Sequence, residues 1–156
     1  MVFLSISPLE ARWLGSNAPQ TSVSDIISSE SGENSVDISA DSGGYVIDYA
    51  IKMFKLKEMG TRVRFTGRCD SACTLYLALP TKQTCVGEGA YFRFHSPQAS
   101  TSKGIQSAQV FLQSKYPAWV RDWIDNQGGL STQLLTMNYD YVRQFMPRCS
   151  SLVARR

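Results

Sequence analysis

The chain has 156 residues, 43% hydrophobic and 19% charged, with 16 Lys and Arg against 13 Asp and Glu for a formal charge of +3. That size and apolar fraction suit one folded domain with a buried core. The basic residues are spread rather than massed, which argues against a nucleic-acid binder, and no run reaches the roughly 18 apolar residues of a membrane span.

Residues 1–34 read as a loosely structured N-terminal arm. Met1-Val2-Phe3-Leu4-Ser5-Ile6 is too short an apolar run for a secretory signal, and Pro8, Glu10 and Arg12 keep it from extending. The expectation is either a cytoplasmic chain or one whose signal lies outside these residues. Ser, Asn, Pro, Gly and Glu dominate Gly15–Asn34, with a helical turn or two expected near Ser24–Ser29. A single domain is expected over 35–150, with a short tail at 151–156.

Order begins where Val36 and Ile38 alternate with polar residues, as in a short strand. Asp41-Ser42-Gly43-Gly44 breaks it and opens a helix. Ile47, Ala50, Ile51 and Phe54 form that helix's apolar stripe, Lys52, Lys55 and Lys57 lie off it, and Gly60 is a natural stop. The basic stretch Lys52–Arg68 then reads as a solvated helix face and an exposed strand edge. Thr61–Thr66 alternates as a second strand, with a turn expected at Gly67–Cys69. Ser71–Leu79 is apolar and helical in length, ended by Pro80. Thr84–Val86 is a brief strand, Gly87-Glu88-Gly89 a turn, and Ala90–His95 a strand with Phe92 and Phe94 on the face opposite Tyr91, Arg93 and His95. After the polar loop Pro97–Gly104 comes a long helix, Ile105–Asn126, with Pro117 as a kink or boundary. Gly128-Gly129 ends it, and Ser131 caps a last helical region, Gln133–Phe145. There is no internal repeat and no low-complexity tract.

Strands alternating with helices predict an α/β fold: a mostly parallel sheet with right-handed crossover helices and a C-terminal helical region. Ligand sites in such sheets lie beyond the carboxyl ends of the strands. Asp41–Gly44, Gly67–Ser71 and His95 all fall at strand carboxyl ends and are expected to converge on one edge.

Those segments carry the residues that could do chemistry. Ser71, on a strand-to-helix turn, presents a hydroxyl beside helix amides that favour developing negative charge. His95, the single histidine, offers an imidazole able to take its proton near neutral pH. Gly43-Gly44 lets the backbone approach a substrate and frees N–H groups for an oxyanion hole. Blander alternatives stand beside each: Ser71 or Asp70 as a helix N-cap, His95 as a satisfied rim residue, Gly-Gly as a tight turn. Four cysteines, Cys69, Cys73, Cys85 and Cys149, allow two bridges in three connectivities. Zinc is disfavoured, because there is no Cys-x-x-Cys and no nearby His; no metal and no cofactor are expected. Disulfides are favoured over free buried thiols, and with them an oxidising compartment, periplasmic or secreted.

Asp41-Ser42-Gly43-Gly44, then Gly67-Arg68-Cys69-Asp70-Ser71-Ala72-Cys73, then Phe94-His95-Ser96-Pro97 together resemble the Clp-protease/crotonase superfamily. Within it they resemble the Clp-like serine peptidases and the bacterial Clp-like periplasmic proteins. The likeness runs from about Ser35 to Gln98, more loosely to Cys149. It implies Ser71 as nucleophile, His95 as general base and the amides of Gly44 and Ala72 as oxyanion hole, for acyl transfer to water from a peptide or protein substrate. Members form rings or trimers, which leaves a homo-oligomer open. The acid that orients the histidine should fall near Ser131–Leu135, where this chain has none. Asp140 is named as orienter, with a Ser/His dyad or an amide from Gln133 or Asn138 as alternatives. In this picture Cys73 pairs with Cys85 and Cys69 with Cys149, locking the nucleophile turn. The expected activity is a serine hydrolase; the alternatives are a non-catalytic Clp-like module binding a peptide or protein, and a crotonase-type enzyme acting on acyl-thioesters.

Overall fold

The computed structural model describes residues 34–150, so the arm up to 33, its helical turns near Ser24–Ser29 and the tail from 151 lie outside the described residues. Five strands form one sheet: β1 (Ser35–Asp41), β2 (Arg62–Asp70), β3 (Thr84–Val86), β4 (Tyr91–Phe94) and β5 (Leu135–Asn138). The helices are α1 (Val46–Glu58), α2 (Ser102–Lys115), α3 (Ala118–Asn126) and α4 (Tyr139–Val142). The strand order is β1-β2-β4-β5, with β3 also on β2. All pairings of β2 are parallel, and only β4–β5 is antiparallel. The fold is therefore mixed α/β with a mostly parallel sheet, as expected. Among the described residues no helix is long and apolar enough to cross a membrane.

β2 is the spine. Val63, Arg64 and Phe65 pair with β3, while Arg68, Cys69 and Asp70 pair with β4. The core forms around it: Val63, Phe65, Phe92, Leu75, Val120 and Met137 are all fully shielded from solvent. Phe65 meets Phe92 edge-on at 4.9 Å, and Phe94 lies between Tyr116 of the α2 C-terminus and Trp123 of α3. Such aromatic pairs add to the stabilisation from area burial.

α1 stops where Gly60 predicts. Gly60 adopts a left-handed φ of 65°, its N–H donates to the Lys57 carbonyl, and the Thr61 N–H donates to that of Leu56. That pair of bonds satisfies the last helical carbonyls and turns the chain into β2.

Three expectations about the elements need correction. β2 does not turn at Gly67 but continues to Asp70. A Cβ at Gly67 would lie 2.1 Å from the Ser39 carbonyl oxygen, beside the register slip between Ile38 and Ala40 of β1. The glycine serves close strand approach at a bulge. Ser71–Ala78 is a 3₁₀ helix, and Ala72 through Leu77 are all buried, so packing on every side sets its winding. The long stretch divides at the boundary expected at Pro117: Tyr116 is extended before Pro117, which caps α3. The expected helix over Gln133–Phe145 is strand β5 followed by the four-residue α4. Met137 is buried against the sheet on the free edge of β4, and the Asn138 side chain caps α4 by accepting from the Tyr141 N–H at 3.0 Å.

Both disulfides form, but the pairing is Cys69–Cys73 and Cys85–Cys149, not the expected one. Cys69 lies near the end of β2 and Cys73 begins the next turn, so their Cα atoms are only 5.4 Å apart. Arg148 bridges Val86 in parallel, and the Cys149 N–H donates to the Val86 carbonyl, which brings Cys149 beside Cys85. Two disulfides are compatible with an oxidising compartment such as the periplasm or the extracellular medium.

Candidate active site

Parallel pairing puts three strand ends side by side. Asp41 is opposite Cys69, and Asp70 is opposite Arg93. Ser42-Gly43-Gly44, Ser71 and His95 therefore leave the sheet at one edge, on neighbouring strands about 5 Å apart. All line one cavity of about 540 Å³, closed on its other sides by Phe94, Ala108, Leu112 and Tyr116. Among the described residues no Asp, Glu, Lys or Arg lines it. Tyr45 and Ile47, 82% and 73% exposed, stand at its rim.

Ser71 is the one non-glycine residue with positive φ among the described residues, at 54°. A side chain in this region costs about 1–2 kcal/mol and persists only where its surroundings over-determine it. Thr74 Oγ1 donates to the Ser71 carbonyl at 2.6 Å. Because that hydroxyl proton is committed, the 2.6 Å contact between Thr74 Oγ1 and Tyr116 is donated by the tyrosine. The relay runs Tyr116 to Thr74 to the Ser71 backbone. Burial holds the Tyr116 phenol neutral, its pKa pushed up to about 12. Gly43 packs behind, since a Cβ there would be 2.8 Å from Ser71 Cβ and 2.5 Å from the Asp70 carbonyl oxygen.

Neither N-cap alternative holds. Asp70 occupies the N-cap position without a side-chain cap bond. Its carboxylate instead takes a two-pronged bond from Arg93, with Nε at 2.8 Å, and Arg68 lies 3.5 Å away. The Ser71 hydroxyl makes no hydrogen bond to another described residue and stays available in the cavity.

The glycine turn is held by Asp41. One carboxylate oxygen accepts from the Gly43 N–H at 2.8 Å and from the Tyr49 hydroxyl of α1. Burial, reinforced by that bond, raises the Tyr49 pKa. The Gly44 N–H makes no bond to a described residue. Gly44 and Ala72 both line the cavity.

His95 follows β4 directly and is half-buried. Its Nδ1 lies 2.7 Å from the Ser96 carbonyl oxygen. A carbonyl only accepts, so Nδ1 carries a proton, and in the neutral ring Nε2 holds the lone pair that a base needs. The Ser96 N–H donates to the Ser131 carbonyl at 2.6 Å, which ties His95 to the loop before β5. No hydrogen bond joins Ser71 to His95.

Asp140 is not brought to this site. β5 runs antiparallel to β4 with Asn138 opposite Tyr91, so Asp140 lies beyond the far end of β4 from His95. It is 75% exposed and paired with Arg143 at 3.0 Å. Asn138 is spent on its cap and Gln133 is exposed. The group that meets His95 Nδ1 is the Ser96 carbonyl.

Sequence reasoning misses Thr74, Tyr116 and Asp41 as supports of the site. Thr74 carries a faint signal, three residues after Ser71; Tyr116, 42 residues further on, carries none. The described residues contain no group of acids, cysteines and histidines able to hold a metal ion. Compared with protein-family models and with curated proteins, the sequence matches none.

Proposed function

We propose that the protein is a serine hydrolase of the Clp-like peptidase type, in a fold of the Clp-protease/crotonase kind, acting on a peptide or protein outside the cytoplasm. One observation carries the reading: the only non-glycine residue held in the left-handed region, among the described residues, is a serine with an unbonded hydroxyl, in a cavity shared with the only histidine.

On substrate binding, His95 Nε2 takes the Ser71 hydroxyl proton as Oγ attacks the carbonyl carbon. The carbonyl oxygen gains negative charge and is held by the Gly44 and Ala72 amides. His95 then protonates the leaving amine, and an acyl ester remains on Ser71. A water molecule gives its proton to His95 as it attacks the ester, and His95 passes that proton to the departing Ser71 Oγ, which restores the free serine. The Ser96 carbonyl fixes the tautomer as an acid would, but as a neutral group it stabilises the imidazolium less. The expected enzyme is therefore slow. The absence of charge in the cavity suits an uncharged segment around the scissile bond.

A fluorophosphonate probe tests this. Stoichiometric labelling mapped to Ser71, and lost in Ser71→Ala and His95→Ala variants that remain folded, is the expected result. Folded wild-type protein that takes no label favours the non-catalytic module binding a peptide or protein in the same cavity.

A further inference from the structure

We infer that the Cys69–Cys73 disulfide is a positioning device for Ser71 rather than a staple for the fold, an inference that rests on Ser71 being the nucleophile. The bridge joins residues four apart and closes a small ring with Ser71 at its centre. So small a ring removes less freedom from the unfolded chain than the Cys85–Cys149 bridge does across a separation of 64. What the small ring does constrain is the backbone between its ends.

The two ends belong to different elements. Cys69 is paired within β2 to Asp41 on one side and Phe92 on the other. Cys73 lies in the fully buried part of the 3₁₀ helix, and both cysteines are 0% exposed. Between them the chain passes from strand to helix in two residues, Asp70 and Ser71, and Ser71 takes the positive φ. The bridge sets how close the helix start stays to the strand end. With it gone, Cys73 can draw back, Ser71 can relax to negative φ, and the Ala72 amide moves with it. The hydroxyl and one oxyanion donor would then lose their places together. The cavity walls contributed by α1, α2 and Phe94 would not.

The disulfide therefore acts on bond making and not on probe binding. Cys69→Ala/Cys73→Ala is expected to keep a cooperative unfolding transition, to bind the fluorophosphonate with a KI within about twofold of wild type, and to lower the labelling rate constant roughly ten- to a hundredfold, the scale of an ångström-sized misplacement. Cys85→Ala/Cys149→Ala is expected to melt earlier yet to label at the wild-type rate below its transition. An unchanged rate constant in the first variant, or an equal loss in both, overturns the inference. Should the first variant fail to fold, wild-type protein is titrated with a dithiol reductant while thiols are mapped by alkylation and mass spectrometry. Labelling lost in step with the Cys69 and Cys73 thiols supports the inference; labelling that tracks the other pair, or survives alkylation of both, overturns it. Folded wild type that takes no probe overturns the nucleophile reading itself, a result distinct from a labelled wild type beside an unaffected variant.

Discussion

Gly43 and Gly44 are neighbours with opposite demands. Gly43 holds φ at 76°, and a Cβ there would meet the backbone of Asp70 and Ala72 as well as Ser71 Cβ, none of which can swing away. Gly44 is outside the left-handed region, and its Cβ would make an ordinary 3.4 Å contact with the Tyr49 ring. Gly43→Ala is therefore expected to cost about 1–3 kcal/mol and to slow Ser71 labelling, because the clash is relieved by moving Ser71. Gly44→Ala should stay within about 1 kcal/mol of wild type. Urea unfolding together with probe kinetics on both variants checks the contrast. At this scale the sequence is informative where chemistry sits at strand ends: Ser71, His95 and the glycine pair all line the cavity. It is uninformative where a role depends on a partner far along the chain. Asp140 is near in sequence to the place an acid should occupy, but the antiparallel course of β5 carries it to the other end of β4. The group that does meet His95 Nδ1 is a backbone carbonyl, which no side-chain pattern announces.

The end of α2 is coupled to the Ser71 turn through one hydroxyl chain. Tyr116 closes α2 and donates to Thr74, which donates to the Ser71 carbonyl. Tyr116→Phe keeps the ring against Phe94 but leaves the Thr74 oxygen buried without its donor, at an expected cost of about 1–2 kcal/mol. The same tyrosine gives the fold an alkaline limit. Tyr116 and Tyr76 must both stay neutral in the folded chain, with pKa values pushed up to about 12 by burial against an ordinary 10.0. Between those values the unfolded chain has released protons that the folded chain retains, so each rise in pH favours unfolding. These two phenols are expected to leave stability unchanged below about pH 10 and to lower it from pH 10 towards 12. The fall should be shallower in Tyr116→Phe, as read from thermal melts across that range and from the ultraviolet titration of the phenols. Elements are legible where one local signal decides them. Gly60 ends α1 and Pro117 separates two helices. The stretch after Ser131 does not announce a strand, because alternation at Leu135 and Met137 spans only four residues, and what selects strand there is the open edge of β4, a tertiary fact.

Across the whole molecule, the two disulfides divide their work by loop length. The parallel sheet brings Val86 at the end of β3 to Arg148, and Cys85–Cys149 fastens the C-terminal segment there. That both cysteine pairs would close is readable from their number; which pairs they form is not, because it depends on a bridge of one residue pair between β3 and a segment without regular structure. On the chain-entropy account, closing a 64-residue separation stabilises by about 4 kcal/mol and a separation of four by about 2 kcal/mol. Opening the long loop also frees the segment beyond α4, whose Pro147 carbonyl accepts from the Val86 N–H. Cys85→Ala/Cys149→Ala is therefore expected to lose about 2–4 kcal/mol, and Cys69→Ala/Cys73→Ala a smaller amount. Urea unfolding under non-reducing conditions measures both. If the short-ring variant proves the less stable of the two, the C-terminal fastening is not what holds this fold closed, and the core around β2 carries that burden alone.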